Sequence, residues 1–216
     1  MLDLSTPRLN LHGPAPIAMA GTRPEAGKLV TFERTNKRAT RTLRRMAAIG
    51  KILDSWLATS PGKDIDIVSA GGADAADPIE HLVRTRGPFD SLTFSTFAAG
   101  EPSVNRIHQL KTAGLIGRIV GVVDALMLCS SRHAAAGPAL RIACDELESG
   151  AIHLKAYILR GDRKVYTITG SANLSANPRL EVLSLSTDPR VGAFYGKVIE
   201  DQIARIRDRR AKKHSR

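Results

Sequence analysis

The stretch IHLKAYILRGDRKVYTITGSANLS, residues 152–175, decides the fold. Its first eight residues are β-branched, aromatic or otherwise apolar around two polar positions, His153 and Lys155, so 152–159 is predicted to be a strand. Gly161-Asp162 is turn chemistry and 164–169 repeats the strand pattern, so the two form a hairpin. Side chains alternate along a strand. His153, Lys155 and Tyr157 therefore share one face, and Ile152, Leu154, Ala156 and Ile158 take the other. The second strand ends at Gly170, from which a loop can turn Ser171 and Asn173 back toward His153 and Lys155.

These residue types suit a phosphodiester. A neutral imidazole can attack phosphorus. Lys155 brings a fixed positive charge, and Ser171 and Asn173 bring neutral donors for the equatorial oxygens of the transition state. Gly170 permits an unusual dihedral or a close backbone approach. Taken singly, each residue also fits a polar strand face followed by an ordinary Gly-Ser turn; taken together they point to a phosphate site.

His153-x-Lys155 with Gly170-Ser171-x-Asn173, continuing as Leu174-Ser175, resembles the active-site motif of the phospholipase D superfamily, in its single-motif, nuclease-like branch. The resemblance implies an α/β fold, a mixed β-sheet flanked by helices in αβα layers with one motif per chain. It implies cleavage of phosphodiesters without a metal or other cofactor. One histidine becomes a phosphohistidine, and a second, from another motif copy, acts as general acid. Glu181, eight residues past Asn173, stands about where related nucleases place a carboxylate that orients a histidine; the other reading is a solvent-facing residue at a strand start. The usual Asp five residues after the Lys is replaced by Arg160. Either the chain resembles a branch lacking that Asp, or Asp162 substitutes by a register shift, or catalysis is weakened.

Upstream, 90–97 is predicted to be a strand, 102–113 a helix ended by Gly114, and 117–124 an apolar strand; together they make a parallel crossover unit. Residues 65–69 add a strand, and 140–144 read as a short one. None of the other histidines, His12, His81, His108, His133 and His214, begins a second His-x-Lys. Since the mechanism needs a nucleophile and an acid, a homodimer is expected, with two His153 rings facing across a two-fold axis.

The net charge of +11 and pI of about 10.2 favour polyanions, DNA or RNA above all. Residues 31–59 are predicted to form a basic amphipathic helix. Its first half carries Arg34, Lys37, Arg38, Arg41, Arg44 and Arg45 as candidate phosphate contacts, and its apolar face holds Met46, Ile49, Leu53, Trp56 and Leu57. Arg160 is a further candidate, as are Arg209 and Arg210 in RIRDRRAKKHSR, residues 205–216. That last segment continues a helix packed through Phe194, Val198, Ile199 and Ile203, but it has nothing apolar to bury past Ile206 and is expected to fray.

The expected organisation is an irregular arm over 1–28, the basic helix over 29–60, a phosphodiesterase domain over 61–204 and a basic tail over 205–216. No run of about 18 apolar residues is present and the first ten residues do not read as a secretory signal, so a cytoplasmic protein without stable membrane association is expected. Cys129 and Cys144 are expected to be reduced core thiols, and no cluster suggests metal ligands. The sequence thus points to a nuclease-like phosphodiesterase. The alternatives are a nucleic-acid-binding protein of the same fold with weak or no turnover and, less favoured, a phospholipase.

Overall fold

The computed structural model describes residues 37–60, 62–70 and 74–214. The expected arm over 1–28 and the candidate contact Arg34 lie outside them, as do the side chains of Lys37, Arg38 and Arg41. In chain order the elements are α1 (Lys37–Thr59), β1 (Ile65–Ala70), α2 (Ala76–Arg86), β2 (Phe89–Thr96), α3 (Glu101–Thr112), β3 (Ile116–Asp124), α4 (Ala125–Cys129), α5 (Ala136–Ala143), β4 (Glu146–Gly150), β5 (Ala156–Gly161), β6 (Lys164–Gly170), β7 (Leu180–Ser186) and α6 (Pro189–His214).

The seven strands form one mixed sheet in the order β1-β7-β6-β5-β2-β3-β4. β2, β3 and β4 are mutually parallel, and α3 makes the crossover from β2 to β3. From β5 onward each neighbour is antiparallel. The directions follow from chain economy. The two-residue turn at Asp162 and Arg163 reverses β5 into β6, whereas parallel neighbours need a longer connection.

Apolar side chains on the two faces build two cores. One face packs against α1, α2, α3 and α5 through Leu53, Ile79, Leu82, Val104, Ile107 and Leu140. The other packs Val122, Ala156 and Ile158 against Ile199 and Ile203 of α6. The result is the αβα layering expected from the sequence. The alternation in β5 is as expected too: Ala156 and Ile158 face α6, while Tyr157 and Leu159 belong to the larger core.

Several expectations shift. The β5 ladder begins at Ala156 rather than Ile152, because Ser95 of β2 pairs with Ala156 and uses its own hydroxyl to bond the Leu154 carbonyl at 2.8 Å. Ile152 and Leu154 still pack toward the α6 core, so the face alternation extends past the ladder. Residues 140–143 close α5 instead of forming a strand; a short apolar run does not distinguish the two. Past Ile206, where the sequence suggests fraying, α6 continues to His214. Arg207 bonds Glu146 and Glu148 at 3.0 and 2.9 Å, and Arg210 pairs with Glu148 at 2.9 Å, which ties the last turns of α6 to β4. Phe194 is 63% exposed, since the helical period aims Gly192, Gly196, Ile199 and Ile203 at the sheet and Phe194 away from it. Cys129 is exposed, not a core thiol.

A candidate active site at one end of the sheet

The strand directions bring five chain segments to one end of the sheet: the ends of β2, β3 and β6 and the starts of β5 and β7. In open α/β sheets this end, beyond the carboxyl ends of the parallel strands, is where ligands bind. His153 and Lys155 lie there, on extended chain entering β5. Ile152 fixes the approach, its N–H donating to the Asp124 carboxylate at 3.0 Å from the end of β3.

His153 is exposed, and among the described residues neither ring nitrogen has a hydrogen-bond partner. Its ring meets Phe97 edge-on, with centroids 4.8 Å apart and planes at 61°. Lys155 is only 8% exposed, which excludes the plain surface-lysine reading. Its ammonium donates to the His153 carbonyl at 2.9 Å and lies 5.5 Å from the centre of the same Phe97 ring. Burial lowers the Lys155 pKa, and the Glu181 charge acts in the opposite sense. Phe97 thus buttresses both polar side chains. The sequence showed it only as the last aromatic of a strand, with no sign of this contact.

The loop after β6 is held from both sides. Gly170 has φ of +135°, and a Cβ there would collide with the Val182 carbonyl oxygen, so this corner is built for glycine. Ser171 is locked to β7: its N–H donates to Val182 O at 2.9 Å, its oxygen accepts Val182 N–H at 2.9 Å, and its hydroxyl donates to Glu181. Asn173 is locked to the other segments. Its Oδ1 accepts Ala98 N–H at 3.1 Å, and its backbone carbonyl accepts Ala75 N–H at 3.0 Å from the start of α2. This leaves the Asn173 Nδ2 without a partner among the described residues. Beneath the loop the Tyr157 hydroxyl donates to Ala172 O at 3.1 Å; burial pushes this phenol well above its ordinary range.

Glu181 is 4% exposed, so it is not the solvent-facing residue of one reading. Its two oxygens accept from Ser171 and, at 2.6 Å, from Asn177 Nδ2. Within the chain it holds the Gly170–Asn173 loop rather than His153. Asn177 had no signal in the sequence beyond its place in the loop before β7.

The remaining candidates disperse. Arg160 sits on the face opposite Lys155 and donates to Gly192 O of α6 at 2.8 Å, and Asp162 is in the turn at the far end of the hairpin. Arg45 pairs with Asp77 at 2.5 Å in a cluster with Arg106 and Glu80, while Arg44 is exposed. Arg209 and Arg210 are exposed on α6. No group of three or more His, Cys, Asp or Glu among the described residues is placed to hold a metal ion, and none of the described helices is long and apolar enough to cross a membrane.

No family model matches the sequence, and no curated protein does. Several solved structures resemble the chain, three of which are as follows. Nuc from Salmonella typhimurium, a phospholipase D family member, is 15% identical with a TM-score of 0.49, covering 64% of this chain and 93% of its own. Polyphosphate kinase from Porphyromonas gingivalis is 10% identical with a TM-score of 0.48, covering 64% of this chain and 26% of its own. TrmBL2, an archaeal chromatin protein with a novel mode of DNA binding, is 14% identical with a TM-score of 0.42, covering 78% of this chain and 64% of its own.

Proposed function

We propose that the protein is a phosphodiesterase of the phospholipase D type that cleaves nucleic acid by metal-independent histidine chemistry. The observation that carries this reading is that the same end of the sheet holds the buried Lys155 ammonium together with a His153 imidazole and an Asn173 amide nitrogen that have no hydrogen-bond partner among the described residues. In this reading His153 is the nucleophile and the other two are the oxyanion donors. Lys155 and Asn173 hold the phosphate oxygens, and their stabilisation grows as charge develops there. Ser171 and Glu181 are positioning residues: the serine hydrogen is committed to the carboxylate, and together they fix the loop that carries Asn173.

In the first step a His153 ring nitrogen bonds to phosphorus and the ester P–O bond breaks. The leaving oxygen takes a proton from His153 of the partner subunit. In the second step water attacks the phosphohistidine, gives its proton to that second imidazole, and the P–N bond breaks. The homodimer belongs to this proposal, because one chain supplies one such imidazole. The high positive charge supports nucleic acid over a net-neutral lipid such as phosphatidylcholine.

The test is cleavage of labelled DNA and RNA, single- and double-stranded, in excess EDTA, alongside His153→Ala and phosphatidylcholine vesicles. Cleavage of nucleic acid by the wild type alone supports the proposal. Equal cleavage by His153→Ala removes His153 from the nucleophile role. Arg160 in place of the usual Asp motivates a second reading, a nucleic-acid-binding protein without turnover; salt-sensitive binding with no cleavage would favour it.

A further inference from the structure

The loop between Asn173 and Glu181 carries a feature the proposed chemistry does not use. Arg179 is exposed and makes no ion pair among the described residues. Most other arginines near the sheet are committed: Arg106 to Asp77 and Glu80, Arg118 to Glu146, Arg160 to Gly192 O and Arg207 to Glu146 and Glu148. Arg179 is also not loosely hung. Its backbone N–H donates to Asn177 Oδ1 at 3.2 Å, a side-chain turn of the kind asparagine favours. The other end of that amide, Nδ2, donates to buried Glu181 at 2.6 Å. Glu181 in turn accepts the Ser171 hydroxyl. An unbroken relay of hydrogen bonds therefore runs from the loop bearing Asn173 to the backbone of Arg179, and Pro178 stiffens the turn between them.

The carboxylate in this relay does not neutralise Arg179. Both its oxygens are already taken, and its charge lies beside Lys155. The backbone of Arg179 is thus held just before β7, beside the loop that carries Asn173, and its exposed guanidinium has no ion-pair partner among the described residues. Lys155 and Asn173 suffice for a single phosphodiester, so an additional cation on the tethered segment at the same end of the sheet matches an additional anion. Guanidinium is the side chain best suited to phosphate, through its planar fork of donors.

We infer that Arg179 forms a second phosphate subsite, for the phosphate adjoining the scissile one, so that the site takes a chain of phosphodiesters rather than an isolated one. This rests on the phosphodiesterase reading for the scissile position, but its binding arm can be tested apart from turnover. The ligand class is a polynucleotide strand. A lipid diester or a small synthetic diester fills the first subsite and leaves the second empty.

Binding of a fluorescein-labelled twelve-nucleotide single strand is measured by anisotropy in the His153→Ala protein and in His153→Ala/Arg179→Ala, across a range of salt. The expected result is about tenfold weaker binding in the double variant, and a log–log salt slope smaller by about 0.7, one phosphate contact on a single strand. Arg179→Lys, which keeps the charge and loses the fork, should fall between the two. Turnover is compared in wild type and Arg179→Ala on the oligonucleotide and on bis(p-nitrophenyl) phosphate, which has one phosphate. The loss in kcat/KM on the oligonucleotide should exceed that on the small diester by about tenfold. Unchanged strand binding, or equal losses on both substrates, overturns the subsite. Absence of hydrolysis by the wild type counts against the phosphodiesterase reading alone, and the binding arm still decides the subsite.

Discussion

The hydroxyl of Ser171 donates to the buried carboxylate of Glu181, and the same oxygen accepts the N–H of Val182. With its hydrogen and its acceptor site both used inside the protein, Ser171 joins the β6 loop to β7 and is not a spare donor for substrate. Ser171→Ala leaves Glu181 buried with one donor fewer. Losing a partner of a buried polar group costs about 1–3 kcal/mol, so the midpoint of urea unfolding should fall by the corresponding amount. An unchanged midpoint would show that the serine does not support the carboxylate.

Lys155 gives the site a pH signature. Burial lowers its pKa from 10.5, and the charge on Glu181 offsets part of that shift. The ammonium is the form that holds a phosphate oxygen, and it is lost as pH rises through the folded-state pKa. The alkaline limb of kcat/KM, which reports the free protein, should therefore lie below pH 10.5. Glu181→Gln removes the charge that raises the pKa and should move the limb to lower pH. A limb that stayed put or rose in that variant would dissociate it from the Lys155–Glu181 pair.

The sequence made the hairpin and the β2-α3-β3 crossover legible because their signals are local: alternation, turn residues and a glycine stop. It placed His153, Lys155 and Asn173 at the same end of the sheet for the same reason, since the start of β5 lies beside the end of β6 in the hairpin. Glu181 was harder. In β7 the inward positions are Glu181, Leu183 and Leu185, and the outward ones include Leu180 and Val182, which are 67% and 37% exposed. Apolar residues thus occupy both faces, and alternation cannot tell which side carries the buried carboxylate. Phe97 was invisible in another way, because its contact with His153 spans 56 positions and depends on which strands become neighbours. The same holds for the tether that keeps the end of α6 in place: Glu146 and Glu148 belong to a strand too polar to announce itself.

The two thiols should differ sharply in reactivity. Cys129 is exposed, whereas burial pushes the Cys144 thiol up to about 12. The thiolate is the reactive form, so at pH 8 iodoacetamide should modify one position per folded chain, at Cys129. Intact mass and peptide mapping read this directly. Rapid modification of both residues in the native protein would contradict the packing around Cys144.

Arg44 and Arg45 are neighbours in the same basic stretch, and the structure gives them different work. Arg45 reaches Asp77, whose side chain is fully buried, at 2.5 and 3.2 Å and so pins α1 to α2. Arg44 is exposed. Arg45→Ala leaves Asp77 with Arg106 as its remaining charged partner, at 2.8 Å, which limits the penalty. The expected loss is about 1–3 kcal/mol, below that of a buried charge left wholly unpaired. Arg44→Ala should change stability by less than about 0.5 kcal/mol, as surface substitutions do. If α1 contacts nucleic acid, the order reverses for binding: Arg44→Ala should reduce the salt slope by nearly one phosphate contact while leaving the fold intact. Urea unfolding and salt-dependent anisotropy on the same two variants separate the roles. Equal stability in both would show that the Arg45–Asp77 pair does not anchor α1.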